Sequence, residues 1–237
     1  MRYYTKQGNR MTIDGIIRKK NHLFTVNLPS CKGKTVYGER LKEVDGKELR
    51  SWNPYRSKLA AAIIKGCDIS TLLSTESSIL YLGAATGTTV SHLSDIASEG
   101  MIYAVEHSPI AAKKLIDLAK QRKNIIPLYH DANHPERYSR FVPTVDFVYQ
   151  DISQRNQADI FIRNIQQYLK KDNPAMIMIK ARSIDVSLPP KKAYEQVEKE
   201  LKSKGLQIHQ KIVLSPFEKD HIVFTVSQKK PSGSTDD

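Results

Sequence analysis

Cysteine is scarce: Cys31 and Cys67 are the only two in 237 residues, and neither stands in metal-ligand spacing or a disulfide framework. They read as buried free thiols. Tryptophan occurs once, and no apolar run approaches the ~18 residues of a membrane span. Acidic residues are in deficit, 25 against 37 lysines and arginines, so the net charge is 37 − 25 = +12. Such a balance suits a polyanionic partner and says nothing of the fold. Arg2, Lys6 and Arg10 are followed by no apolar stretch, so no signal peptide is read and a soluble, cytoplasmic protein away from membranes is expected. Walker, HExxH, zinc-spacing and Ser-His-Asp patterns are missing too, so no metal is expected. His130 and His134 read as loop residues.

What is present begins at Ile79. Ile79 to Leu82 is a short apolar run ending abruptly at Gly83, the pattern of a buried parallel strand. Gly83-Ala-Ala-Thr-Gly87 gives a tight turn, Thr88 and Thr89 read as helix caps, and Val90, Leu93, Ile96 and Ala97 recur at helical spacing. Met101 to Val105 is a second strand, ending on Glu106. Strand, glycine turn, helix, strand and acid make half of a nucleotide-binding α/β unit, with Glu106 placed to accept from both hydroxyls of a ribose. Gly83 and Gly87 are four apart, which departs from GxGxxG. A small adenosine ligand such as S-adenosylmethionine therefore fits better than a dinucleotide. A purely structural turn with a surface glutamate is the bland alternative.

Residues 1–53 differ in character. Thr12 to Arg18 and Leu23 to Leu28 are short strand-like runs, Lys34 to Gly38 continues the theme, and Asp45-Gly46 is a turn. A small antiparallel sheet domain without obvious chemistry is expected, with Arg18-Lys19-Lys20 on a solvated loop. Residues 54–228 read as the main domain and 229–237 as a polar tail, frayed from Ser227. Ser57 caps a helix from Lys58, a basic residue at the helix end where the dipole disfavours it. Ser108-Pro109 starts another helix, running through Gln121. Strands are expected at 125–128, 145–149 and 176–179, and helices at 158–169 and 191–204. The last pair, 208–214 and 222–226, is joined too tightly for a crossover and should be antiparallel. Five β/α units closed by a hairpin is the layout of a Rossmann-like α/β methyltransferase, with a mostly parallel seven-stranded sheet.

Ligands of such sheets bind beyond the carboxyl ends of the parallel strands. Gly83, Glu106, Asp131, Asp151 and Lys180 fall there, and the start of the antiparallel strand at His221 lies on the same edge. Taken singly, each has an ordinary reading as a cap, a turn or a solvated strand end. Together they suit methyl transfer to a hydroxyl, with Lys180 as base or orienting group, Asp151 steering it, and Lys58 and His221 tuning and positioning.

Tyr81 to Asp95, Tyr103-Ala-Val-Glu106, Asn124-Ile-Ile-Pro127, Asp131-Ala-Asn-His-Pro135, Ile179-Lys-Ala181 and Glu218-Lys-Asp-His221 resemble the fibrillarin family. The resemblance spans roughly Trp52 to Val226 and is of the archaeal kind, without a glycine–arginine-rich N-terminal extension. It implies methylation of ribose 2′-hydroxyls in rRNA and tRNA, using S-adenosylmethionine and box C/D guide RNAs. It also implies a particle with a Nop-type scaffold protein and a kink-turn-binding protein of ribosomal type. By resemblance Lys58, Asp151, Lys180 and His221 are the catalytic set. Gly83, Ala84, Thr88, Thr89, Glu106, His107, Asp131, Ala132, Asp151, Ile152, Ser153 and Gln154 are the donor-binding positions. Thr86, His107 and Asn133 depart from the commoner family residues, and His107 bears on adenine stacking. The other readings are a methyltransferase acting alone and a non-catalytic particle component. Nothing resembles a base-reading RNA module.

Overall fold

The computed structural model describes residues 10–13 and 15–229. Strands β1 (Arg10–Ile13), β2 (Ile16–Lys19), β3 (His22–Val26), β4 (Leu41–Val44) and β5 (Lys47–Trp52) form an antiparallel sheet in the order β1-β2-β3-β5-β4. Asp45 and Gly46, at φ 51° and 74°, make the two-residue turn between β4 and β5, where a left-handed backbone matches the strand twist. The strand expected at Lys34 to Gly38 does not form. The N–H groups of Val36 and Tyr37 instead donate to the Glu39 carboxylate at 3.0 and 2.9 Å, a local acceptor that outcompetes a ladder.

The rest of the chain gives α1 (Lys58–Ile64), β6 (Ser78–Leu82), α2 (Thr88–Ile96), β7 (Met101–Glu106), α3 (Pro109–Gln121), β8 (Ile125–Tyr129) and β9 (Phe147–Gln150). It continues with α4 (Gln157–Tyr168), β10 (Pro174–Lys180), the short α5 (Ala181–Ile184), α6 (Pro190–Ser203), β11 (Leu206–Val213) and β12 (His221–Gln228). Ser57 and Ser108 cap α1 and α3 as expected, accepting from Ala60 N and Ala111 N. The sheet order is β11-β12-β10-β9-β6-β7-β8, parallel from β10 to β8, with β12 antiparallel to both its neighbours. The chain leaves β6 toward β7 and β8, then returns to β9 on the other side. That reversal opens the ligand crevice at the carboxyl ends of β6 and β9.

Alternation on β6 explains its unbroken apolar run. Ile79 and Tyr81 pack with Val90, Leu93 and Leu115 on one face; Leu80 and Leu82 pack with Ile160, Phe161 and Val197 on the other. Two expectations are corrected. Arg18 is no solvated loop residue: it lies in β2 and donates to the carbonyls of Ile63 and Ile64 at 3.3 and 3.1 Å, at the end of α1 where carbonyls lack intrahelical partners; Ile63 O also accepts from Gly66 N at 3.1 Å. Ser227 and Gln228 are not frayed, since they pair with Gln207 and Leu206. Of the expected tail only Lys229 is described, its N–H donating to Gly205 O at 2.9 Å; residues 230–237 lie outside the described residues, as do residues 1–9. Both thiols are buried and free, and burial pushes Cys67 up to about 12. No helix among the described residues is long and apolar enough to cross a membrane.

The two sheets are joined by a buried polar network that the sequence did not announce. Asp95 of α2 receives Arg50 of β5 at 2.7 Å and Arg122 at 2.6 Å, and Arg50 also donates to Glu39 at 2.8 Å. All four are buried, and two guanidiniums balance two carboxylates. Thr25 has one hydroxyl proton, and it goes to Asp95 Oδ2 at 2.6 Å, so the contact to His92 Nδ1 at 2.8 Å requires Nδ1–H to donate. His92 Nε2 then accepts from the Tyr37 hydroxyl at 2.7 Å, a shorter contact than the 3.1 Å from the same hydroxyl to Ser51 O, and the ring stacks on Trp52 at 4.7 Å. Burial, then Arg50 and Arg122, hold the imidazole well below the usual histidine range. The fold keeps His92 neutral, whereas the unfolded chain protonates it as pH falls through about 6.5. The unfolded state then binds the extra proton, so stability is complete above that pH and is lost below it. His221, also lowered chiefly by burial, acts in the same sense. A melting temperature that falls between pH 7 and 5, with a shallower slope in His92→Gln, is the expected calorimetric result.

Candidate active site

The turn after β6 is built for close approach. Gly83 has φ +80°, and a Cβ there would sit 2.5 Å from the Asp151 carbonyl oxygen, so only glycine lets the ends of β6 and β9 meet. Gly87, at φ +90°, caps α2 without a side-chain hydrogen bond. Thr88 and Thr89 are thus the first helical residues and not the caps expected. Thr89 Oγ1 lies 3.0 Å from Ser57 Oγ, which ties α2 to α1. A helix start with no side-chain cap leaves its N–H groups to a ligand or water.

Glu106, at the end of β7, is nearly buried. Its Oε2 accepts from Ala85 N at 2.8 Å and its Oε1 from Ser108 N at 2.7 Å, which pins the glycine turn to the start of α3. Each carboxylate oxygen has a second lone pair free for a further donor. Asp131, after β8, accepts from Asn133 N and Nδ2 at 2.9 and 3.0 Å; burial opposes the charge, but these bonds win and hold the carboxyl below its usual range. Asn133 Nδ2 also donates to Gln154 Oε1 at 3.0 Å, linking the loops after β8 and β9. Between these loops lies a cavity of about 330 Å³. One wall is Gly83, Glu106 and His107, and the other is Asp131, Ala132 and the run Asp151 to Gln154. Ala84, Thr88 and Thr89 are not on its lining.

Asp151 belongs to two places. Besides lining the cavity, its Oδ1 and Oδ2 accept from Lys58 Nζ at 2.8 and 3.0 Å. The charge that looked misplaced at the start of α1 therefore has its partner 93 residues away. Lys180 and His221 are directly opposed across β10 and β12, so their side chains leave the same face of the sheet. His221 Nδ1 donates to Lys219 O at 2.6 Å, and the ring is nearly buried. Burial lowers its proton affinity, with Lys58 acting in the same direction and Asp151 and Glu218 against it. No side-chain hydrogen bond or ion pair engages Lys180 Nζ among the described residues. Sequence reasoning missed Gln157, whose Oε1 lies 3.4 Å from Lys180 N, and Ala85; a buried glutamine at a helix start carries no signal in the sequence. No group of three or more metal-ligating side chains occurs among the described residues.

A parallel sheet with its crevice at a glycine turn and a strand-end acid, closed by an antiparallel final strand, defines a Rossmann-like methyltransferase fold. The particular family follows from comparison: the fibrillarin model matches residues 9–230, and the chain belongs to the fibrillarin family. It is 47% identical over 193 residues to the fibrillarin-like rRNA/tRNA 2′-O-methyltransferase of Methanocaldococcus jannaschii, covering 81% of this chain and 84% of the relative. A fibrillarin from a fibrillarin/Nop5p complex superposes with a TM-score of 0.83 at 42% identity, covering 91% of this chain and 98% of that one. Aeropyrum pernix fibrillarin with natively bound S-adenosyl-L-methionine does so at 0.78 and 40%, covering 89% and 92%.

Proposed function

We propose that this chain is an S-adenosylmethionine-dependent RNA methyltransferase that modifies ribose 2′-hydroxyls of rRNA and tRNA at nucleotides selected by a box C/D guide RNA. It works with a Nop-type scaffold protein and a kink-turn-binding protein, residues 1–53 forming the small domain and 54–228 the methyltransferase domain. The observation that carries the reading is the position of Asp151, shared between an adenosine-sized cavity and a cluster of Lys58, Lys180 and His221. The relative with bound S-adenosylmethionine and the relative in a Nop5p complex support donor and scaffold.

The residues present suit the donor. A Cβ would fill the cradle at Gly83, and Glu106 has lone pairs facing a site for ribose hydroxyls. Gly83, Ala84, Thr88 and Thr89 flank the turn and helix start. Glu106 and His107, then Asp131 and Ala132, serve the nucleoside; Asp151, Ile152, Ser153 and Gln154 close the other wall. When bound, S-adenosylmethionine supplies an electrophilic methyl group. The chain's own part is to hold the acceptor hydroxyl in line and remove its proton. Lys180 is the base or the orienting group: as the neutral amine it accepts that proton and becomes the ammonium, and as the ammonium it orients the hydroxyl oxygen. Asp151, fixed by Lys58, orients Lys180 and the donor side, and neutral His221 fills the far side of the cluster without adding charge. Guide pairing supplies the sequence specificity that a basic domain without a base-reading module lacks.

Gly83→Ala tests the cradle. Forcing a side chain into the left-handed turn costs about 1–3 kcal/mol, and displacing the Asp151 loop is expected to weaken S-adenosylmethionine binding about tenfold by calorimetry. The decisive assay for the reaction is tritiated-methyl transfer to a target RNA, with the protein alone and with guide RNA and both partner proteins. Incorporation in the full assembly, abolished by 2′-deoxyribose at the target, is expected. Incorporation by the chain alone that survives the deoxy substitution would overturn the acceptor.

A further inference from the structure

The turns that lead into Lys58 and His221 carry an aromatic pair, exposed Tyr55 against half-buried Phe217, that the chemistry above does not use. Tyr55, 63% exposed, meets Phe217 edge-on, with ring centroids 5.2 Å apart and an interplanar angle of 71°. Each ring stands on a turn that runs into a site residue. Tyr55 precedes Lys58 by three residues and Phe217 precedes His221 by four. At about 3.8 Å per residue, their Cα atoms lie within roughly 11 and 15 Å of those of Lys58 and His221.

Both turns are ordered. Arg56 N donates to Asn53 O at 3.0 Å across a turn with Pro54 in second place, and Tyr55 N donates to Asn53 Oδ1 at 2.9 Å. Phe217 N and Glu218 N both donate to Leu214 O, at 3.0 and 3.3 Å, and the Phe217 ring is half-buried against the core. Tyr55 thus projects from a fixed backbone with a half-buried ring behind it. Arg56 and Lys219, both exposed, stand one and two residues beyond the two rings in sequence, the Arg56 guanidinium lying over the Tyr37 ring at 4.9 Å.

We propose that Tyr55, backed by Phe217, packs against the ribose of a nucleotide next to the methylated one and so positions the RNA strand. The proposal rests on the ribose 2′-O-methylation reading. In a guide-paired strand the 2′-hydroxyls are displayed in the wide, shallow minor groove, where a protein meets sugar faces and phosphates and few base edges. A flat ring with a polar tip covers the apolar face of a sugar, and neighbouring cations neutralise the phosphates on either side. Tyr55 is a positioning residue in this scheme and takes no part in proton transfer. The contact is independent of sequence, as the lack of a base-reading module requires. The neighbouring cations and the short chain distance to Lys58 and His221 favour RNA over a protein partner.

The test uses the full assembly with guide RNA and both partner proteins. Tyr55→Ala is expected to raise KM for the target RNA about five- to tenfold, with kcat within about twofold and KM for S-adenosylmethionine unchanged. Tyr55→Phe and Tyr55→Trp should restore the RNA KM, because the ring face makes the contact. p-Benzoylphenylalanine at position 55 should photocrosslink to nucleotides adjoining the target. An unchanged RNA KM, a parallel loss of donor affinity, or crosslinks confined to the scaffold protein would each overturn the proposal. Wild-type protein that transfers no methyl to the 2′-hydroxyl would overturn the underlying reading with it. Wild-type transfer with an indifferent Tyr55→Ala would sink the positioning role alone.

Discussion

Lys180→Ala lowers methyl transfer about 10³-fold while S-adenosylmethionine binds within about threefold of wild type: this is the expected result for the group proposed to act on the acceptor hydroxyl. A positioned proton acceptor contributes about 10²- to 10⁴-fold, and removing it leaves the donor cavity intact, because Lys180 is not among the residues lining it. Lys58 is held by Asp151. Burial lowers the His221 pKa, with Lys58 acting the same way, while the Nδ1–H bond to Lys219 O opposes that lowering and fixes the ring. Single-turnover transfer beside calorimetric donor binding separates the outcomes. Near-wild-type turnover would remove Lys180 from the chemistry. Equal loss of donor binding would make it a part of the cavity.

Asp95→Ala is expected to lower the melting temperature by about 6–20 °C. The aspartate neutralises two buried guanidiniums, Arg50 and Arg122, at 2.7 and 2.6 Å. Its removal leaves Arg50 with Glu39, and Arg122 with only the neutral oxygens of Asn27, Ser91 and Ser94. Breaking a buried pair by deleting one partner costs about 3–5 kcal/mol. In a chain of this size each kcal/mol moves the midpoint by about 2–4 °C. Asp117→Ala, which deletes the exposed partner of Lys120, should leave the midpoint unchanged within error. A shift below about 3 °C for Asp95→Ala would show that the arginines repack or are reached by water.

The parallel sheet was legible because its strands are short and apolar on both faces, with glycine, Ser-Pro and acids at their ends. The candidate site was partly legible for the same reason: ligands of such sheets bind at strand ends, and Glu106, Asp131, Asp151 and Lys180 stand at or just after strand ends. Lys58 showed as a charge in an unfavourable helix position. The Lys34 to Gly38 run misled because β-like composition says nothing of the Glu39 carboxylate that captures its N–H groups. Arg18 looked solvated because its acceptors, the last carbonyls of α1, are 45 and 46 residues away.

The sequence by itself determined the order of elements, the hairpin that ends the sheet and the strand-end acids, since periodicity and turn chemistry act over a few residues. Only the tertiary structure decided which distant charges meet. The Lys58–Asp151 pair, the Lys180–His221 register and the Arg50–Asp95–Arg122 cluster join segments 27 to 93 residues apart. Nothing in a lysine, an aspartate or an arginine says whether folding leaves it in water or buries it beside its counter-charge. That depends on which strand lies next to which, and long-range packing of the apolar faces sets that order.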